Sequence, residues 1–427
     1  MNAALVRAMV SMALVLPQVT LAQTDATAAR PGAALERDTV SPLSAKRRLA
    51  LGASERALWD AYVDRSRGAQ AGDRALLTGE LATLTRSAKG SATMTRAPFA
   101  ATSFEYGPAT GAAIDNDSTR RVLDAMLTFQ TPSGGWSKHI DFTKGPRQPG
   151  QSFFSENESW HYIATIDNGS TTSELRFLMD RARAEPRVHA AVERGIRYLL
   201  AAQFPNGCWP QVWPLQGGYH DNATFNDDAI IEVMRLLDDV GRGTAAHLSA
   251  KTRAESAGAV QRAVQCVLRA QVMVDGHLTV WGQQHDPLTL TPTSARSYEL
   301  TSLTSKESAG VVDFLMSHTA LDARIPAAVD AATAWFERVR IAGMRNAGKN
   351  GLVPDATAGP LWARMYEIGT NKPIFSNRDG IKRYDFQQLT DRREGYGWYS
   401  DQPARTLARY KKWSTRRPTT HQLSAAR

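Results

Sequence analysis

Along most of this chain, apolar residues recur at three- and four-residue intervals, the spacing of helices that bury one face. Such patterns cover 54–64, 73–84, 172–183, 187–202, 227–239, 254–270, 305–318 and 327–340. Between them lie turn-rich stretches with Gly, Pro, Asn and Trp, and 86–116 reads as a loop-rich connection.

A longer pattern is superimposed on the helices. Val122 to Gln130 runs into Thr-Pro-Ser-Gly-Gly-Trp136, and Arg197 to Gln203 runs into Phe-Pro-Asn-Gly-Cys-Trp209. Val267 to Gln271 is followed by a turn at Asp275-Gly276 and then Trp281. Each copy is a helix ending at Gln, a glycine turn and a Trp. The copies lie about 70 residues apart, and a unit of two helices cannot bury its faces alone, so it must stack on its neighbours. The expected fold is therefore all-α, a toroid or barrel of helical hairpins whose irregular loops form a cleft, ahead of any β-rich architecture.

Composition then narrows the class. The first 22 residues read as a secretory signal peptide, with Arg7 its single charge, an apolar run from Ala8 to Leu21 and a small residue at Ala22. Residues 23–45 read as a disordered lead, and 46–427 as one catalytic domain with an N-terminal helical part at 46–115 and a core at 116–405. No later segment is long enough to span a membrane. The formal charge of +9 favours an acidic polymer as partner. No nucleic-acid module is present, and export makes an acidic polysaccharide the better fit. Cys208 and Cys266 read equally well as a disulfide or as two buried thiols.

The unusual polar residues fall in four loops. Gly134-Gly-Trp-Ser-Lys138 offers Trp136 to stack on a sugar ring and Lys138 to meet its carboxylate. Asp167 and Asn168 lie upstream of a helix whose Thr-x-x-Glu start, through Glu174, already satisfies a capping box. The third loop gathers Asp221, Asn222, Asn226, Asp227 and Asp228 before Ala229. Such side chains supply the oxygen ligands Ca²⁺ requires, although helix capping also accounts for some of them. The fourth is basic: Arg296, then Arg378 and Arg393, each set among turn residues or aromatics.

Carboxylates facing arginines suit elimination from a uronic-acid polymer. The C5 proton is poorly acidic until a cation neutralises the adjacent carboxylate. An arginine serves as base only where its neutral form is favoured, which points to an alkaline optimum.

These segments, with Tyr219 to Ala229, Phe375-Ser-Asn-Arg-Asp-Gly380 and Gly395-Tyr-Gly-Trp-Tyr399, resemble polysaccharide lyase family 10, the pectate lyases, from about residue 115 to 405. The resemblance implies an (α/α)₃ toroid-like fold and Ca²⁺-dependent anti-β-elimination of polygalacturonate by an exported monomer. It assigns the metal to Asp167 with Asp227 or Asp228, the proton abstraction to Arg378 ahead of Arg393 and Arg383, and a substrate-clamping role to Arg296. Lys138, Trp136, Asn168, Arg393 and Tyr396 are the expected substrate contacts. His139 departs from the pattern, standing where a smaller polar residue is expected. Two other readings compete: a toroid glycoside hydrolase using Asp167 and Asp227 as its acid and base, and a non-catalytic protein that captures acidic oligosaccharides.

Overall fold

The computed structural model describes residues 41–87, 91–106, 117–156, 163–181, 185–245 and 247–416. The expected signal peptide and most of the 23–45 lead lie outside them.

After a helical turn at Ala45–Arg48, the long helix α1 spans Ala53–Ser87. The sequence suggests two helices here because Gly68 and Gly72 interrupt the pattern. A Cβ at either glycine would meet nothing within 4 Å, and the helix runs on unbroken. The remaining helices are α2 (Asp117–Thr128), α3 (Thr172–Met179), α4 (Pro186–Ala202), α5 (Ala229–Gly241), α6 (Ala250–Ala270), α7 (Ser305–Ser317), α8 (Ile325–Arg338) and α9 (Gln402–Ser414). The boundaries of α2 to α8 agree with the sequence periodicity to within about five residues, whereas the periodicity does not predict α9. Pro at the start of α4, α8 and α9 sits where a missing N–H costs no intrahelical bond.

A helix, a turn and a tryptophan recur after α2, α4, α6 and α8, so the repeat has four copies rather than three, and the helices pack mainly as α3 on α4, α5 on α6, and α7 on both α8 and α9. In each, a glycine- or loop-rich turn leads from the first helix to a buried tryptophan whose indole N–H donates to a carbonyl of that helix or its end. Trp136 donates to Met126 (2.8 Å), Trp209 to Leu199 (2.7 Å), Trp281 to Val267 (2.7 Å) and Trp362 to Phe336 (2.8 Å). The recurring glutamines are equally structural. The Gln130 carboxamide donates to the carbonyls of Gly134 (2.7 Å) and Ala191 (2.9 Å), tying its own turn to the next repeat. Gln203 does the same with Gly207 and Ala259, and Gln271 with Thr279 and Ala328. Each fulfils the demand that buried polar groups be paired, and each couples neighbouring units. The fourth copy lacks the glutamine, which hides it from a sequence search.

The all-α expectation is corrected at the ends of the helices. Thirteen short strands among the described residues pair into six small antiparallel sheets, five of two strands and one of three. Ala164–Thr165 pairs with Val212–Trp213, Ala223–Thr224 with Gln284–His285, Leu303–Thr304 with Met365–Tyr366, and Trp362–Ala363 with Tyr399–Ser400. These ladders carry each tryptophan's chain alongside the segment that enters the second helix, and they hold the cleft loops. No helix among the described residues is long and apolar enough to cross a membrane.

One hydrophobic core runs from Leu43 to Leu407 through all four repeats. Helix α1 joins it through Trp59 and Tyr62, whose rings each lie 5.2 Å from Phe204, and through the Tyr62 hydroxyl, which donates to Ala202 (2.9 Å). Cys208 and Cys266 form a disulfide that ties the second tryptophan turn to α6. A second, smaller cluster of Tyr298, Met365, Ile374, Phe375, Phe386, Leu389, Tyr396 and Trp398 underlies the arginine loops.

Candidate active site

The two acidic loops are built alike. Each leaves a two-residue strand, enters a single 3₁₀ turn and bends through a left-handed residue: Asn168 at φ 51°, ψ 37° and Asp227 at φ 47°, ψ 39°. Asn and Asp are the non-glycine residues that accept this region most readily. The superposed turns make Asp167 the counterpart of Asn226, and Asn168 the counterpart of Asp227.

The residue two beyond each tryptophan turns toward these loops. Lys138 follows Trp136, and its ammonium sits 2.8 Å from Asp167 and 3.5 Å from Glu156. Gln283 follows Trp281 and donates to Asn226 Oδ1 (2.5 Å). Arg364 follows Trp362, is buried, and donates to Asp227 Oδ1 (2.9 Å), Asn226 Oδ1 (3.2 Å) and Glu307 Oε1 (2.5 Å). Lys306, at the start of α7, adds a second cation 2.7 Å from Asp227.

This setting fixes the charge states. Burial opposes ionisation of Asp167, but Lys138 outweighs it and holds the carboxyl below the ordinary range. Burial likewise opposes the charge on Asp227, and Arg364 with Lys306 holds it well below. Both aspartates are anions at any pH of interest, and each raises the other's proton affinity slightly through mutual repulsion.

Asp227 and Asp228 point in different directions. Asp227 lines a cavity of about 470 Å³ together with Asn168, His139, Glu232 and Lys306. Asp228 turns toward α7, where a Cβ placed on Gly310 would come within 2.3 Å of its Oδ1. Burial and the nearby Glu307 push the Asp228 carboxyl up to about 7. Asp221 is also structural: it accepts the backbone N–H groups of Gln216 (3.0 Å) and Gly217 (2.9 Å).

The basic loops converge on Tyr298. Arg296 lies 4.9 Å over its ring and forks onto Glu299 at 2.8 and 2.5 Å. Arg392 lies 4.3 Å over the same ring, and Arg378 is near enough to stabilise the ionised form of its hydroxyl. The Arg378 turn is anchored from beneath: its backbone N–H donates to the Asp391 carboxylate (3.2 Å), and Asn377 accepts from Thr390 (2.9 Å). Arg393 points elsewhere, packing over Phe386 and donating to Gln387. Arg383 is committed to Asp379 (2.6 Å). Between the arginines and the aspartates stand Tyr219 and His220, their rings 3.8 Å apart. Tyr219 feels the charges of Arg296, Lys138 and Asp167 together, and burial pushes His220 down to about 3, leaving it neutral.

Besides Arg393, two further expected substrate contacts are turned away from the acidic loops. Trp136 is 0% exposed with its N–H satisfied inside the helix pair, so no sugar can stack on it. Tyr396 is buried in the aromatic cluster, its hydroxyl donating to Glu299 (3.2 Å), and it acts beneath Arg296. Sequence reasoning missed Lys306, Glu307, Arg364, Arg392, Tyr219 and His220. The shared Trp-x-Lys/Arg spacing was the one signal available for Arg364.

A hard cation fits this arrangement in part. Asp167 Oδ1 is buried without a hydrogen-bond partner among the described residues, and Asn168 and Asp227 face the neighbouring cavity. Among the described residues no three His, Cys, Asp or Glu side chains cluster tightly enough to hold a metal by themselves. Two carboxylates and a carboxamide leave most positions of a six- to eight-coordinate cation for substrate and water.

Paired anionic turns with an arginine cluster in electrostatic reach through Tyr219 suit an acidic polysaccharide, and comparison with known proteins agrees. The pectic acid lyase family matches residues 130–407, and the chain belongs to that family: it is a pectate lyase. The family 10 polysaccharide lyase from Cellvibrio cellulosa shares 33% sequence identity, with a TM-score of 0.63 over 70% of this chain and 92% of that one. A mutant of that lyase in complex with trigalacturonic acid matches with 33% identity and a TM-score of 0.62, over 69% of this chain and 92% of that one. No curated protein matches. The hydrolase and binding-protein readings give way to the lyase.

Proposed function

We propose that the protein is exported and cleaves polygalacturonate by Ca²⁺-assisted anti-β-elimination. The observation that carries this reading is the opposition of Asp167 and Asp227, both held ionised, to Arg296 and Arg378 across Tyr219 and Tyr298. The trigalacturonate bound by the Cellvibrio relative supports an acidic oligosaccharide as substrate. The Cys208–Cys266 disulfide supports an oxidising compartment, in keeping with a leader at 1–22.

Asp167 and Asp227, with Asn168, would hold Ca²⁺, which when bound neutralises a substrate carboxylate and so acidifies the proton at C5. The protein's own groups do the rest. Lys138 and Arg296 hold uronate carboxylates and fix the ring's register. Arg364 and Lys306 keep Asp227 ionised and pointed at the cleft. Arg378, on its anchored turn, takes the C5 proton. Arg392 and Arg296 add positive charge beside it, which lowers the cost of its neutral form.

The direct test follows ultraviolet absorbance of purified protein with polygalacturonate at alkaline pH. A rising unsaturated-uronide signal that a chelator stops supports the whole reading. A signal indifferent to the chelator removes the calcium role, and no signal removes the substrate.

A further inference from the structure

The segment 95–106 lies outside the residues that match the family, yet it forms one wall of the cleft. It is pinned there by backbone pairing. Ala100 N–H donates to His139 (2.9 Å), Asp141 N–H donates to Pro98 (2.9 Å), and Phe99 bridges Ile140 antiparallel. Ala97 N–H and the Ser152 hydroxyl (3.1 Å) secure its start. Its residues Ala101 to Ser103, Glu105 and Tyr106 line the same cavity as Asn168, Asp227 and Lys306.

Phe99 adjoins this cavity through His139. Its ring is stacked on His139, centroids 5.7 Å apart and planes inclined by 29°, but it remains 58% exposed. His139 is in turn steadied by Glu156 at 3.2 Å and directly follows Lys138, whose ammonium meets Asp167. A large ring held open to water forfeits the burial that normally stabilises phenylalanine. It is backed by a second ring, so its face is rigid and presented outward. Ser103 Oγ, buried in the wall of the same cavity as His139, has no hydrogen-bond partner among the described residues. An apolar platform near an unsatisfied hydroxyl and a lysine matches a uronide, which has a C–H face, hydroxyls and a carboxylate.

We infer that Phe99 and His139, with Ser103, form an outer uronide subsite, contributed by the N-terminal segment, that grips chains extending beyond the residues around Asp167 and Asp227. This rests on the lyase reading above. It makes Phe99 a specificity-determining residue for chain length rather than a catalytic one. It also gives the reading of His139 as a departure from the family pattern a purpose: the imidazole supports a platform that the family core does not supply.

The experiment compares wild type, Phe99→Ala and Phe99→Trp on trigalacturonate and hexagalacturonate, following unsaturated product. The outer subsite predicts that Phe99→Ala lowers kcat/KM on the hexamer by roughly 5- to 10-fold through KM, the size of one aromatic contact. The trimer's constants and kcat on the hexamer should hold, and Phe99→Trp should restore the hexamer KM. Equal losses on trimer and hexamer, or no change on either, overturn the subsite. Circular dichroism of Phe99→Ala separates loss of fold from loss of the platform, and a folded variant is expected because the ring is exposed. Wild-type protein that forms no unsaturated product from either substrate would instead remove the lyase chemistry beneath it.

Discussion

Lys138 and Arg364 occupy the same place in the first and last repeats, each two residues beyond a buried tryptophan, and each pairs with one aspartate of the cleft: Lys138 with Asp167 at 2.8 Å, Arg364 with Asp227 at 2.9 Å. The cleft is thus polarised by equivalent positions of one repeated scaffold. Lys138 remains partly exposed, whereas Arg364 is sealed in and also neutralises the buried Glu307. One is suited to meet substrate and the other to hold the site together. Replacing Arg364 with Ala leaves Glu307 buried and unpaired, which should destabilise the fold by about 3–5 kcal/mol. Chemical denaturation of the variant measures that loss, and an unchanged midpoint would refute the pairing's structural role.

Arg378→Ala should lower kcat by about 10²-fold or more, the contribution expected of a positioned base, while oligogalacturonate binding by calorimetry persists. Arg392→Ala should weaken turnover more than Arg393→Ala, because Arg392 faces Tyr298 whereas Arg393 packs on Phe386. The reverse order would move the active arginine to the other side of the loop.

Asp167→Ala should raise the Ca²⁺ concentration needed for half-maximal rate by at least about tenfold, since even outer partners of a metal site matter on that scale. Asp228→Asn should leave Ca²⁺ affinity close to wild type, because its carboxyl faces Gly310. Direct Ca²⁺ titration by calorimetry distinguishes them, and a large shift in Asp228→Asn would reopen the choice between neighbouring aspartates.

Burial pushes the Glu174 carboxyl from 4.5 up to about 8. The folded state therefore keeps its proton where the unfolded chain has lost it, and stability falls as pH rises between about 4.5 and 8. Glu174→Gln removes that dependence. Its melting temperature should exceed wild type's at pH 9 and approach it at pH 4. Parallel melting curves for the two proteins across this window would show that Glu174 does not titrate there.

Trp136→Ala should destabilise the fold by about 3–5 kcal/mol, as expected for an emptied core site. Its KM at a temperature where the variant is folded should match wild type, whereas a sugar-stacking tryptophan would raise KM several-fold. Gln203→Ala should cost about 1–3 kcal/mol by orphaning the carbonyls of Gly207 and Ala259.

The helices were legible because their apolar periodicity is long, and the repeat was legible where glutamine, glycine and tryptophan occur together. The strands were not. Pairs such as Ala164–Thr165 and Val212–Trp213 are too short to show alternation, and both faces are buried. The acidic turns stood out at Asp167-Asn168, which capping explains poorly, and less clearly at Asn226-Asp227, where helix capping was an equal reading. Lys306 and Glu307 could not, since the opening turn of an ordinary helix has the same composition. Trp136 misled for a general reason: an indole beside a glycine turn looks the same in sequence whether it faces sugar or its own helix.

Gly310 has a bearing on all of this from behind the cleft. The helix surface there is close enough to Asp228 that no side chain fits between them. Any larger residue at 310 must push Asp228 outward, and the push passes through a single peptide unit to Asp227 and its grip on Lys306 and Arg364. A methyl group on the Asp228-facing side of α7 would thereby shift the Asp227 edge of the site without touching substrate, so the tolerance of this lyase to change is set partly by a position remote from the substrate.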